Sequence, residues 1–431
     1  MRRILVYGIL LLFILTSCSM NKNEYYDNNE ANKENISLET QSSMQTQSNM
    51  KEEQTKNQVL EVDKEKEGEV SSENKKNVEE TIQDKLEMYI DHMTIEEKIG
   101  QLFMIAIRKD GEGNPITQIN ESIKQQIHTY HVGGVILFSE NIETAQQTQT
   151  LIRDLQSTST IPLFIGVDEE GGIVSRIGKN QAINKVPFKE AYAIGQTGET
   201  KVAYEEAKRM GTLLKELGFN MDFAPVADIY NEPSNKVIGR RSFGRSSEEV
   251  IPMVLAFSRG LLEENIQPVV KHFPGHGNTV EDSHEGIAYV NKDLEELEKE
   301  ELLPFGKAID EGVGAIMKGH LLVPAVDETT IASLSVKWKD YMEAHYDLTE
   351  TLVMTDAMDM GAVVGNYSAQ EAAYLSLMAG NDIILMPDDL QKAYEGIMKA
   401  YEDGHLNEER IDESVRKILS KKVAQKMFVL P

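Results

Sequence analysis

Pro268-Val269-Val270-Lys271-His272-Phe273-Pro274-Gly275-His276-Gly277 is the stretch that organises this chain. Its first half is a short apolar run that reads as a buried strand. Its second half is a Gly- and Pro-rich loop, followed at once by Asp282-Ser283-His284. Folding alone asks for no such density of titratable groups. Polar groups set at the end of a buried strand face a ligand more often than solvent. An Asp two residues before a His has the pattern of a proton-transfer base held by its orienting carboxylate.

Further apolar runs lie on either side of this one: Phe103 to Ile107, Gly134 to Phe138, Leu163 to Asp168, Met221 to Val226, Ala315 to Lys318, Leu352 to Asp356, and Asp382 to Met386. With Pro268 to His272 they make eight. Helical patterns fall between them, at Thr144 to Leu155, Lys201 to Leu217, Ser246 to Glu263, Leu294 to Asp310 and Ala369 to Ala379. Before the first run, Thr94 and Glu97 have the spacing of a capping box. Eight strand–helix units predict an α/β fold, a (β/α)8 TIM-type barrel forming a single catalytic domain over residues 81–431. A doubly wound open sheet is the alternative. Against it, the first unit lacks a Gly-x-Gly-x-x-Gly phosphate loop.

Such barrels place their active sites at the C-terminal ends of the strands. The third run ends in Asp168, followed by Glu169-Glu170-Gly171-Gly172 and then Arg176. The fourth leads to Asp228, the fifth to Lys271-His272, the sixth to Lys318-Gly319-His320 and the seventh to Thr355-Asp356. A barrel built only for stability would not repeat charges there, since burying each unpaired charge is costly. Some of these residues have a plainer reading. Asp228 reads equally well as a turn cap, His320 as a core histidine, and Arg241 as a surface cation, although Arg240 suits the surface better.

Composition limits the function classes. The chain has 431 residues and a formal net charge of -27, which argues against a nucleic-acid partner. Its single cysteine excludes intrachain disulfides and a multi-Cys zinc site. His272, His276 and His284 do not have the usual metal-ligand spacings, and Lys271 beside them would repel a cation. No metal and no cofactor are expected.

The N-terminus reads as a signal peptide over residues 1–18. Arg2-Arg3 is followed by an apolar stretch from Ile4 to Leu15, too short for a comfortable membrane span. Leu15-Thr16-Ser17-Cys18 resembles the bacterial lipobox, which implies lipidation at Cys18 and a membrane anchor that does not span the bilayer. Residues 19–80 are rich in Asn, Gln, Ser, Lys and Glu and read as a disordered linker. A flexible chain of that length reaches on the order of 40 Å.

Taken together, Lys-His-Phe-Pro-Gly-His-Gly, Asp-Ser-His, Val-Asp-Glu-Glu-Gly-Gly and Met-Thr-Asp-Ala-Met resemble glycoside hydrolase family 3. More narrowly they resemble its β-N-acetylhexosaminidase branch, the NagZ type. The resemblance implies a (β/α)8 barrel, with Asp356 as catalytic nucleophile, His284 as general acid/base and Asp282 as the carboxylate orienting His284. It implies substrate contacts from Asp168, Arg176, Arg241, Lys271 and His272, with Arg241 also able to reach a neighbouring sugar carboxylate. The activity it implies is an exo-acting, retaining β-N-acetylglucosaminidase acting on GlcNAc-containing saccharides such as GlcNAc–MurNAc and muropeptides. A β-glucosidase or β-xylosidase of the same family, and a sugar-binding lipoprotein without catalysis, are the alternatives.

Two departures stand out. Met317-Lys318-Gly319-His320 replaces the Thr-Ala before His common in related chains, so Lys318 is a candidate to alter the charge near the sugar. The second α/β domain of many family 3 enzymes is not expected, which fits an acid/base on a local loop. The expected protein is a monomer, lipid-anchored on the extracytoplasmic face of a Gram-positive cell membrane.

Overall fold

The computed structural model describes residues 81–279 and 282–430. The signal peptide, Cys18 and the linker therefore lie outside the described residues.

The strands are β1 (Phe103–Ala106), β2 (Gly134–Ile136), β3 (Phe164–Val167), β4 (Met221–Asp222), β5 (Gln267–Pro268), β6 (Val270–Phe273), β7 (Ala288–Tyr289), β8 (Ala315–Lys318), β9 (Leu321–Leu322), β10 (Leu352–Thr355) and β11 (Ile384–Leu385). One parallel sheet runs β11-β1-β2-β3-β4-β5 and another runs β10-β8-β6. Single parallel bridges, Val226 to Lys271 and Met354 to Ile383, join the two. The result is an α/β fold around a curled parallel sheet with eight strand positions, β5 and β6 sharing one of them. A small β7–β9 pair lies apart.

All eight expected runs carry strand, but most are shorter than the apolar run. The run from Pro268 splits at Val269. The pattern from Leu294 to Asp310 forms two helices, Leu294–Lys299 and Leu303–Asp310, rather than one. Pro304 has no amide hydrogen to continue the first helix. At the break, the Glu300 carboxylate accepts from the amide and hydroxyl of Ser247, at 2.7 and 2.9 Å. That contact supports the start of the helix Ser247–Glu263. The Thr94–Glu97 capping box forms as expected, and the side chains of Asn120, Thr144, Ser368 and Asn407 each accept from a first-turn amide of a later helix.

The interior is filled by side chains of alternating strand positions. A Cβ on Gly166 would stand 2.6 Å from the Met104 side chain and 2.9 Å from the Phe223 ring, so glycine makes room for the plug beneath the site. On the outer face, Phe273 meets Phe305 and Trp338 edge-on at 5.5 and 5.2 Å. Truncating a buried aromatic of this kind costs about 3–5 kcal/mol. The rigid end of β6, which carries Lys271 and His272, therefore rests on packed aromatics.

Candidate active site

A cavity of about 320 Å³ opens at the C-terminal ends of the strands. Asp168, Arg176, Arg241, Lys271, His272, His284 and Asp356 all line it. Asp282 stands behind His284 instead, its Oδ1 2.8 Å from the His284 Nδ1 and 2.9 Å from the His284 amide. All eight residues expected at the site are thus brought together.

Lys271 and His272 are consecutive yet line the same cavity. A regular strand would point them to opposite faces. The β6–β8 register shifts between Val270 and Phe273, and this irregularity turns both inward.

The floor is a buried charge cluster. Lys271 Nζ donates to Asp168 Oδ1 and pairs with Glu170 Oε1, each at 2.8 Å. Arg241 donates to Glu170 from two nitrogens, both at 2.8 Å. Burial opposes ionisation of Glu170, but the Arg241 and Lys271 charges outweigh it and hold the carboxyl well below its usual range. Arg241 also donates to the Val237 carbonyl at 3.0 Å. Glu170 thus takes the Nε–Nη2 edge of its guanidinium, while Arg241 still lines the cavity. Its side chain is 10% exposed, whereas that of Arg240 is 60% exposed.

Asp228 is no simple turn cap. It lies buried, 2.6 Å from His272 Nδ1, and accepts from the His276 amide at 2.6 Å. The Asp228 contact takes up Nδ1 and turns Nε2 of His272 towards Arg241, 3.4 Å away. His276 points away from the cavity to Thr279 and Ser283, at 2.7 and 3.0 Å. Gly277 lets this loop pass Ile229 closely, since a Cβ there would stand 1.8 Å from the Ile229 carbonyl oxygen.

Asp356 follows β10. Its Oδ1 accepts from the Ala357 amide at 2.8 Å. Burial raises its pKa, but His272, His320 and the Ala357 amide together lower it more, so the group is a carboxylate at neutral pH. His320 supports this segment from below, as the plainer reading had it. Its two nitrogens meet Ser333 Oγ at 2.7 Å and the Ala357 carbonyl at 2.9 Å, and burial lowers its pKa.

Lys318 does not face the cavity. It follows Met317 on β8, and Met317 lines the cavity while Lys318 points outward to the Ala379 carbonyl at 2.8 Å. The thought that it alters charge near the sugar is thereby corrected, for the reason of strand alternation.

The sequence reading passed over Glu170 and Arg108. Glu170 lies two residues beyond Asp168, the same-face spacing of a strand, and that signal was available. Arg108 stands half exposed at the rim, its guanidinium carbon 4.2 Å from the Phe138 ring centre and its Nε 2.7 Å from Glu140. Nothing in the local sequence marks it.

The cavity combines an ionised carboxylate with an imidazole–carboxylate pair and a charged, hydrogen-bonding floor. That set suits acid–base and nucleophilic chemistry on a hydroxyl-rich ligand. Known proteins agree in kind. The chain is 31% identical over 364 residues to beta-hexosaminidase A of Pseudoalteromonas piscicida, covering 76% of this chain and 60% of that one. It is 28% identical over 340 residues to beta-hexosaminidase LpqI of Mycobacterium tuberculosis, covering 76% and 82%. Among solved structures it is similar to a glycoside hydrolase family 3 beta-N-acetylglucosaminidase from a Paenibacillus strain. There the TM-score is 0.71 at 35% identity, covering 78% of this chain and 63% of that one. The chain thus spans about three fifths of the Pseudoalteromonas and Paenibacillus proteins. The glycosyl hydrolase family 3 N terminal domain matches residues 94–421, and the chain belongs to that family.

Proposed function

We propose that this protein is an exo-acting β-N-acetylglucosaminidase that removes terminal GlcNAc from peptidoglycan fragments with retention of configuration. One observation carries the reading: Asp356 and His284 line the same cavity. The names of the two relatives above, both beta-hexosaminidases, support the choice of sugar. A cavity rather than an open groove suits removal of one terminal residue.

In the proposed reaction the Asp356 carboxylate attacks the anomeric carbon and the bond to the leaving oxygen breaks. His284, as imidazolium, gives that oxygen a proton. Asp282 holds the Nδ1 proton, so Nε2 is the nitrogen that works. In the second step water attacks the glycosyl–Asp356 ester. The neutral imidazole takes the water's proton, and Asp356 returns as carboxylate. An imidazole can both donate and accept a proton, so one residue serves both steps. Asp168, Lys271 and Arg176 hold sugar hydroxyls, while Glu170, Arg241, Asp228 and His272 keep that floor rigid. A muramic acid carboxylate in the leaving group falls to Arg108 at the rim, because Glu170 takes the Nε–Nη2 edge of Arg241. Lipidation at Cys18 would hold the enzyme at the membrane.

The test is a panel of nitrophenyl glycosides followed by defined disaccharides. Cleavage of the N-acetylglucosaminide and release of GlcNAc from GlcNAc–MurNAc are expected. Activity on the glucoside alone would move the protein to the β-glucosidase reading. Intact disaccharide after long incubation would favour a binding protein. Trapping with a slow fluorinated GlcNAc donor should add one sugar mass to the peptide carrying Asp356.

A further inference from the structure

We propose that the cavity against Lys318, on the outer side of the curled sheet, is a second ligand site that takes a small anion bearing a carboxylate or phosphate group. Four lysines are buried among the described residues. Lys98 pairs with Glu408 and Asp412, both at 2.7 Å. Lys271 pairs with Asp168 and Glu170. Lys422 donates to the Gln101 side chain and the Gly133 carbonyl, at 2.8 and 3.0 Å, over the Phe164 ring. Lys318 has neither an ion pair among the described residues nor a second acceptor there. Its one hydrogen bond goes to the Ala379 carbonyl, and an ammonium has three donors.

What lies in front of Lys318 is space. A cavity of about 300 Å³ opens between the helices Val336–His345 and Glu408–Ala424, with Lys318, Lys339, Arg410 and Lys417 in its wall. Three of these cations are neutralised locally. Lys339 pairs with Glu343 at 2.7 Å, Arg410 with Glu413 at 3.6 Å, and Lys417 with the buried Asp382 at 3.5 Å. Arg410 is also pinned by the Leu377 and Asn381 carbonyls, at 3.2 and 2.9 Å. Glu343, Asp347 and Glu413 also line the cavity, but none of them is paired with the buried amine of Lys318. A buried charge without a partner is costly. Burial, with Arg410 adding to it, lowers the Lys318 pKa to about 7. An anion in the cavity would restore the missing partner and keep the ammonium protonated. The site lies on the opposite face of β8 from the reaction cavity, which Met317 lines.

Calorimetric titration of the full protein with inorganic phosphate, and separately with acetate, at pH 6 tests this. Saturable binding of at least one probe is expected, and the tighter probe identifies the anion class. Lys318→Met should weaken it by at least about tenfold. Arg176→Ala, in the reaction cavity, should leave it unchanged. Glu343→Gln removes a competing carboxylate and should tighten it, which keeps the test decisive if Lys318→Met does not fold. Absence of binding of both probes would overturn the proposal. So would an affinity indifferent to Glu343→Gln, or to Lys318→Met in a folded variant, or one lost on Arg176→Ala.

Discussion

The amide of Gly361 donates to the carbonyl oxygen of His284 at 3.1 Å. This bond joins the segment after β10, which carries Asp356, to the loop that carries His284. The Ala362 amide reaches the Ser283 carbonyl beside it, at 3.4 Å. The segments that carry the proposed nucleophile and the proposed acid are thus joined by two backbone hydrogen bonds. A Cβ on Gly361 would stand 2.7 Å from the His284 oxygen and 2.9 Å from that of Glu285, so only glycine permits the approach.

Gly361→Ala should therefore push the His284 loop away while Asp356 stays in place. A displacement of about 1 Å can cost about a hundredfold in rate. Turnover of GlcNAc–MurNAc should fall by about 10- to 100-fold, with a smaller loss on a dinitrophenyl glycoside. A fall in thermal stability with turnover per folded molecule unchanged would argue against the coupling.

His284→Ala removes the proposed proton donor. Loss of a positioned acid typically costs about 10²–10⁴-fold. That loss is expected on the natural disaccharide, and a much smaller one on an aryl glycoside whose leaving group needs little protonation. Equal losses on both substrates would reject the acid role.

His276 gives a pH prediction. Burial, with His272 adding to it, lowers its pKa from 6.5 to about 4. Between those values the unfolded chain binds a proton there that the folded chain refuses. The stability held by this site is therefore complete above pH 6.5 and is lost as pH falls towards 4. The full loss is about 3 kcal/mol by linkage. His276→Gln keeps polar partners for Thr279 and Ser283 without titrating. Urea midpoints measured from pH 4 to 7 should slope less for the variant, and parallel curves for the two proteins would refute the assignment.

Cys18→Ser should leave hydrolysis intact and release the protein from membranes. Fractionation of cells expressing each form, with a nitrophenyl assay on both fractions, reads this directly. Membrane retention of the variant would refute the lipid anchor.

Local sequence determined much of this protein. Apolar runs marked every strand position, because a strand buried on both faces must be apolar along its length. The cap at Thr94 and the titratable groups ending the runs at Asp168, Lys271 and Asp356 were equally legible, since capping and burial are written in adjacent residues. Tertiary structure decided the rest. It turned Lys271 and His272 to the same side through an irregular register, sent Lys318 outward, paired Arg241 with Glu170, and brought Gly361 under His284. These outcomes depend on which strand lies beside which as the sheet curls, and on approaches between segments 70 or more residues apart. No periodicity within one segment encodes such distances.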